Sequence, residues 1–254
     1  MASAIATDVS HRDPELAGQT VVVIGGSAGI GFETARRARA EGADVIITGR
    51  NADRLKEAAE HVGAERTAVF DATDTGELAR FFGHLPAPID HVMVTAGGPT
   101  YGPLLEMDGT EVRDALSDHM VVGLEVARNA IGKMRPGGTL IFMGGTGGRR
   151  VGKGLGIASA ATAALPQFTA ALALEIAPIR ANLIAAGFVD TPLSASLLGD
   201  QLEARRNELR ANLPIGRVVG SADVAALAVH IMANTALTGA TYDVDGGQQF
   251  VSMP

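Results

Sequence analysis

The residues with the clearest chemical potential stand at the end of an apolar run. Val21-Val22-Val23-Ile24 leads into Gly25-Gly26-Ser27-Ala28-Gly29-Ile30-Gly31, and a helix-like stretch, Phe32-Glu33-Thr34-Ala35-Arg36-Arg37, follows at once. A run of β-branched residues reads as a buried parallel strand. The start of a helix carries unpaired N–H groups and the positive end of its dipole. Strand, glycine turn and helix in that order therefore form a cradle for a phosphate. Gly25 suits the tight turn, Gly29 lets the backbone approach a diphosphate, and Gly31 lets the helix pack close to the sheet. Ser27 and Ile30 belong to the same candidate cradle. The spacing is G-x-x-x-G-x-G rather than G-x-G-x-x-G.

A second set of residues bears on which dinucleotide would bind. Strand two ends in Thr48-Gly49-Arg50. An acidic residue there would hydrogen-bond the adenosine ribose and select NAD. Gly49 and Arg50 stand there instead, and arginine is a permanently charged, bidentate phosphate ligand. Arg50 is thus a candidate for the 2′-phosphate, and NADP(H) is expected in preference to NAD(H). Asp71, after the third strand and followed by Ala72, is a candidate acceptor for the adenine amino group or a helix cap.

The elements that must position these residues alternate. Strands are expected at 20–24, 45–48, 67–70, 91–94, 139–143, 181–185 and 240–244. Helices are expected at 29–41, 52–62 with Asn51 as cap, 75–82, 110–134, 157–176 and 222–232. The long helix at 110–134 is stopped by Pro136-Gly137-Gly138. Alternation of this kind builds βαβ units, a parallel sheet and right-handed crossovers. The predicted fold is a single α/β domain over residues 16–254, a Rossmann-type doubly wound sheet, after a flexible leader at 1–15. Residues 191–213 form a charged helical segment on the substrate side. Ligands of such sheets sit beyond the carboxyl ends of the strands.

Composition narrows the classes. The 254 residues carry a formal net charge of −7, which argues against a nucleic-acid surface. With no cysteine there is no disulfide, no thiolate nucleophile and no cysteine metal site. No histidine–carboxylate spacing suggests a metal. A cytoplasmic protein is expected, since residues 1–13 lack the apolar core of a secretory signal. Residues 154–174 are uncharged over a membrane-spanning length. Their Ala, Gly, Ser, Thr, Pro and Gln content suits burial against the sheet and a partner subunit better than lipid.

Taken together, these motifs resemble those of the short-chain dehydrogenase/reductase family over nearly the whole chain. Residues 24–31 resemble its Thr-Gly-x-x-x-Gly-x-Gly motif with Ile24 in place of threonine. Val94-Thr95-Ala96-Gly97 keeps the Ala-Gly of its Asn-Asn-Ala-Gly, which makes Ala96 and Gly97 candidate cofactor contacts. The passage Leu172-Ala173-Leu174-Glu175-Ile176-Ala177-Pro178-Ile179-Arg180-Ala181-Asn182 is similar to the family's approach to strand six. Gly187-Phe188-Val189-Asp190-Thr191-Pro192 resembles the loop that meets the nicotinamide, with Gly187, Val189 and Thr191 as candidates and Ala186 in place of the usual proline. Gly239 and Val244-Asp245-Gly246-Gly247 resemble the C-terminal motif. The resemblance implies strand order 3-2-1-4-5-6-7, a nicotinamide cofactor, a small-molecule substrate and a homodimer or homotetramer.

The likeness fails where the family does its chemistry. Its tyrosine and lysine, spaced Tyr-x-x-x-Lys, fall on Ala158 and Thr162 of this chain. Its serine falls on Gly145, and its asparagine near His119. A positioned acid contributes roughly 10²–10⁴-fold to such a rate. Three residues are candidate substitutes. Tyr101 lies in the loop after strand four, His119 has a side chain suited to proton transfer, and Thr146 could hydrogen-bond a substrate oxygen. Arg149, Arg150 and Lys153 form a basic spot that could take an anionic substrate. Two readings follow: an oxidoreductase with a non-standard proton donor, or a catalytically silent NAD(P)(H)-binding sensor or partner subunit with no substrate of its own.

Overall fold

The computed structural model describes residues 15–149 and 152–251. The leader, apart from Glu15, and Arg150 of the basic spot lie outside the described residues. Leu16 is fully buried, and its N–H donates to the Glu41 carbonyl at 3.0 Å.

Strands β1 (Thr20–Ile24), β2 (Asp44–Gly49), β3 (Arg66–Val69), β4 (Ile89–Val94), β5 (Met134–Gly145), β6 (Arg180–Ala186) and β9 (Thr241–Val244) form one parallel sheet of order β3-β2-β1-β4-β5-β6-β9. This is the expected 3-2-1-4-5-6-7 order. The last strand becomes the ninth because β7 (Val189–Asp190) and β8 (Val219–Gly220) pair as a separate two-stranded ribbon. Helices α1 (Gly29–Ala40), α2 (Ala52–Val62) and α8 (Ser221–Ala233) cover one face. Helices α3 (Thr75–His84), α4 (Gly109–Ala130) and α5 (Gly156–Glu175) cover the other. Two more, α6 (Pro192–Leu198) and α7 (Leu202–Asn212), follow β7.

Alternation along each strand divides the core. Val22 and Ile24 join the cluster of Leu78, Phe82, Val126 and Leu165, while Val21 and Val23 join that of Ala35, Leu55, Ala228 and Ile231. A side-chain period of two sends neighbouring residues to opposite faces, so a continuous valine run fits a strand covered on both. Asn51 caps α2 as expected, its side-chain oxygen accepting from the Arg54 N–H at 2.8 Å. Helix α5, the segment of membrane-spanning length, turns Leu165, Thr169, Leu172 and Ala173 inward. It packs on α4 across Gly123, where a Cβ would stand 3.3 Å from both Phe142 and Phe168.

One boundary differs from the sequence expectation. The long helix ends at Ala130, not 134, and β5 begins at Met134, not 139. The chain tightens into a 3₁₀ turn at Ile131–Lys133, and the Lys133 ammonium donates to the Gly83 and Leu85 carbonyls at 2.9 and 2.8 Å. Pro136-Gly137-Gly138 then forms an irregularity inside the strand rather than the stop before it. Gly137 takes φ +84°, and a Cβ on Gly138 would lie 2.2 Å from the Asp90 carbonyl oxygen.

Candidate functional site

The strand order reverses between β1 and β4, and the crevice between their carboxyl ends is where an open parallel sheet binds a ligand. The glycine turn lies there. Gly25 and Gly29 adopt φ of +94° and +55°, in the left-handed region that glycine alone enters freely. A Cβ on Gly31 would stand 2.3 Å from the Gly25 carbonyl oxygen, so the helix meets the strand end with no room for a side chain. Thr95 braces the turn from β4: its hydroxyl lies 3.1 Å from both the Ile24 and Gly25 carbonyl oxygens. At the start of α1, Ala28 offers no side-chain cap and the first turn holds no acidic residue. The leading N–H groups near Ile30 thus face outward with the dipole unopposed, which fits a dinucleotide diphosphate. Ser27 turns toward Gly49, where a Cβ would stand 2.8 Å from its Oγ. Residues 25–29 also have the G-x-S-x-G spacing of a nucleophile elbow, which sequence reasoning passed over. No histidine among the described residues hydrogen-bonds Ser27.

Arg50 and Asp71 come together at the head of β2 and β3. The exposed guanidinium of Arg50 lies 3.4 Å from the Asp71 carboxylate, a loose pair that a phosphate can replace. Asp71 also accepts from the Thr73 N–H and hydroxyl at 3.0 and 2.8 Å, and the backbone bond foremost holds its carboxyl below the usual range. Helix α3 is capped by Asp74, and Ala72 packs into the core.

Ala96 and Gly97 follow β4, and Gly97 has φ +105°. His119 leans on that turn: a Cβ at Gly97 would lie 3.2 Å from its Cε1. Desolvation holds the imidazole below its ordinary value of 6.5, with Asp118 pulling the other way. His119 and Asp118 line a cavity of about 20 Å³ with Val94, Ala96, Val122, Phe142 and Met143, about the size one water fills. Across the wall, Gly145 and Thr162 face each other, a Cβ on Gly145 standing 3.4 Å from the Thr162 methyl. The Thr162 hydroxyl donates back to the Ala158 carbonyl at 2.8 Å, so it is held within its own helix. Thr146 is buried at the start of the turn after β5. Tyr101 is half exposed in the loop beyond Gly98, and desolvation pushes its phenol above the ordinary value while Arg205 pulls it down.

Two features differ from expectation or were missed. Arg149 does not serve the basic spot. Its guanidinium forks onto Asp243, with one contact at 2.7 Å, and reaches Gln249 at 3.0 Å. That partner lies 94 residues away in sequence, so no local signal could reveal it. Of that spot, the described residues leave Lys153 exposed. The missed feature is the seat of the 191–213 segment. Thr191 caps α6 and its Cβ lies 3.4 Å from where a Cβ on Gly29 would stand, while Leu193 lies 3.8 Å from where one on Gly98 would stand. Gly187 sits against Asp245 and Gln248, and Val189 is buried. Among the described residues no three His, Asp or Glu side chains gather as a metal site would need.

Comparison with known proteins agrees with this frame. The family model described as enoyl-(acyl carrier protein) reductase matches residues 25–249. The 3-oxoacyl-acyl-carrier-protein reductase of Bos taurus is 30% identical over 235 residues, covering 89% of this chain and 96% of that protein. The MalC reductase/Diels-Alderase of Malbranchea aurantiaca shares the fold with a TM-score of 0.87 at 23% identity, covering 94% of this chain and 99% of that one. A small-chain dehydrogenase solved in complex with NADPH gives a TM-score of 0.79 at 26% identity, covering 92% and 99%. By sequence, sheet order and glycine turn alike, the chain belongs to the short-chain dehydrogenase/reductase family.

Proposed function

We propose that this protein is an NADP(H)-dependent oxidoreductase in which His119, rather than a tyrosine, exchanges the proton with a small-molecule substrate. The observation that carries the reading is the imidazole of His119 packed on the Gly97 turn. By the resemblance, the relay's asparagine falls near this position. The residues present fit the cofactor. N–H groups at Gly29, Ile30 and Gly31 would hold the diphosphate, Arg50 the 2′-phosphate, and Thr191 the nicotinamide end. A relative of this fold is described in complex with NADPH. When bound, the cofactor supplies a hydride donor or acceptor. Desolvation lowers the pKa of His119, which favours the neutral imidazole, the form that takes a proton from an alcohol. Acting as the acid in reduction, it needs the protonated ring, so the rate rises as pH falls.

A specific observation favours a second reading. Gly145, Ala158 and Thr162 leave the usual relay without an acid, and the remaining hydroxyl of that set is tied back to its helix. A silent NADP(H)-binding partner would look the same. The separating experiment has two steps. NADPH and NADH are titrated by fluorescence against the wild type and Arg50→Ala. NADPH absorbance is then followed over a panel of ketones and activated alkenes. Tighter binding of NADPH, weakened about tenfold or more by Arg50→Ala, supports the cofactor assignment. Turnover lost in His119→Gln supports the enzyme. Binding without turnover on any compound favours the silent partner.

A further inference from the structure

The segment that closes on the crevice is held in an unusual way. Helix α6 has no buried residue, whereas each of the other α-helices has at least one. Burial supplies most of a short helix's stability, so α6 must be positioned by its ends. Its N-terminal cap is Thr191, directly after the ribbon residue Asp190. Helix α7 buries Leu209, and Leu213 just after it is buried as well. Arg206, one turn earlier on that side, reaches back. Its Nε donates to one Asp190 oxygen at 2.9 Å and its Nη2 to the other at 2.7 Å. Both side chains are about 30% exposed. Glu203 adds a weaker contact at 3.2 Å to the same guanidinium. The fork is planar, bidentate and charge-assisted, the arginine geometry that fixes direction as well as distance.

We propose that Arg206 is a positioning residue for the dinucleotide site. Through Asp190 it pins the start of α6 to the core-anchored α7. The pin keeps Thr191 beside Gly29 and Leu193 beside Gly98, and so sets how long a cofactor stays. The inference rests on the cofactor assignment above, but the pin itself exists without ligand. If the pin is lost, α6 samples open positions and the apparent dissociation constant rises by the inverse of the closed fraction.

Two measurements on the full chain test this. Amide hydrogen exchange over residues 191–198 is compared, without ligand, in the wild type, Arg206→Gln and the exchanged pair Asp190→Arg/Arg206→Asp. The NADPH dissociation rate is then followed by stopped-flow fluorescence. Arg206→Gln is expected to speed exchange in 191–198 and NADPH release about tenfold each, with exchange in the central strands unchanged. The exchanged pair is expected to recover most of both effects. Unchanged exchange and release in Arg206→Gln overturn the proposal, and so does a change spread over the whole sheet. If the exchanged pair does not fold, Arg206→Lys replaces it. Keeping charge without the fork, it is expected to fall between wild type and Arg206→Gln, and wild-type behaviour there overturns the bidentate argument. Faster exchange in 191–198 with no NADPH binding by the wild type at millimolar concentration overturns the cofactor assignment and this proposal's claim on residence, while leaving the pin in place.

Discussion

His91 gives the sharpest test of the energetics. It lies on β4 at the end of the sheet away from the crevice and is 3% exposed. One ring nitrogen pairs with the Gln19 side-chain oxygen at 2.6 Å, and the other, Nδ1, has no partner. Desolvation, reinforced by the nearby Arg180 and opposed by Asp90, pulls its pKa from 6.5 down to about 4. The sign follows from linkage. Between those two values the unfolded chain binds a proton that the folded chain refuses, so stability falls as pH drops through that window. At about 1.4 kcal/mol per pH unit, a displacement from 6.5 to about 4 is worth about 3 kcal/mol. That is a large share of the roughly 5–15 kcal/mol that stabilises an ordinary protein. The perturbation is His91→Gln, which keeps an amide donor for Gln19 and cannot titrate. Urea unfolding at fixed protein concentration, in steps from pH 7.5 to 4.5, is the assay. Wild type should lose stability steadily below pH 6.5, and the variant should start lower and fall less steeply, keeping only the loss that His119 adds to both proteins, so the two curves converge in acid. The carboxyls of Glu33, Asp71, Asp223 and Asp243 are held below their ordinary values. Their contribution is lost only as pH falls through the lower carboxylate range and does not confuse the comparison. Parallel curves for the two proteins from pH 6.5 to 4.5 would refute the assignment of a buried, uncharged imidazole.

Three further expectations follow from the site. If His119 moves the proton, the rate of alcohol oxidation falls with falling pH at a point below the ordinary histidine value, because desolvation lowers its pKa, and His119→Gln flattens that profile while lowering the rate; an unchanged profile excludes it. Gly31→Ala sets a methyl group against the Gly25 carbonyl at 2.3 Å, so it should abolish NADPH binding and lower the melting temperature, both readable in one thermal-shift series with and without ligand. Leu116, Met120 and Val121 on α4 and Leu174 on α5 are exposed apolar side chains on adjacent helices, the surface a homodimer would bury; Met120→Glu/Leu174→Glu should shift the light-scattering mass to that of one chain.

How far the sequence could be read depended on the range of the interaction. Val21 to Gly31 needed only neighbours: the strand, turn and helix are specified within a dozen residues, and Gly25, Gly29 and Gly31 stand where their spacing put them. The end of α4 was misjudged because the break is not made by Pro136. It is made by Lys133 reaching the carbonyls that end α3 and by Met134 pairing with Ile89. The Arg149–Asp243 and Arg206–Asp190 forks were invisible for the same reason, since nothing near an arginine says which distant carboxylate it will meet. Ala158 and Thr162, the positions to which the resemblance was counted back, lie on one continuous helix as expected, so that count needed no long-range contact. The packing of His119 on Gly97 was not legible, since it depends on how α4 lies across the head of β4.

Thr95 has a consequence for kinetics. By tying the last carbonyl of β1 and the first of the turn from the residue just after β4, it shapes the glycine turn before any nucleotide arrives. An incoming diphosphate therefore meets a finished socket, and association has no loop to organise. The pace of capture is left to diffusion.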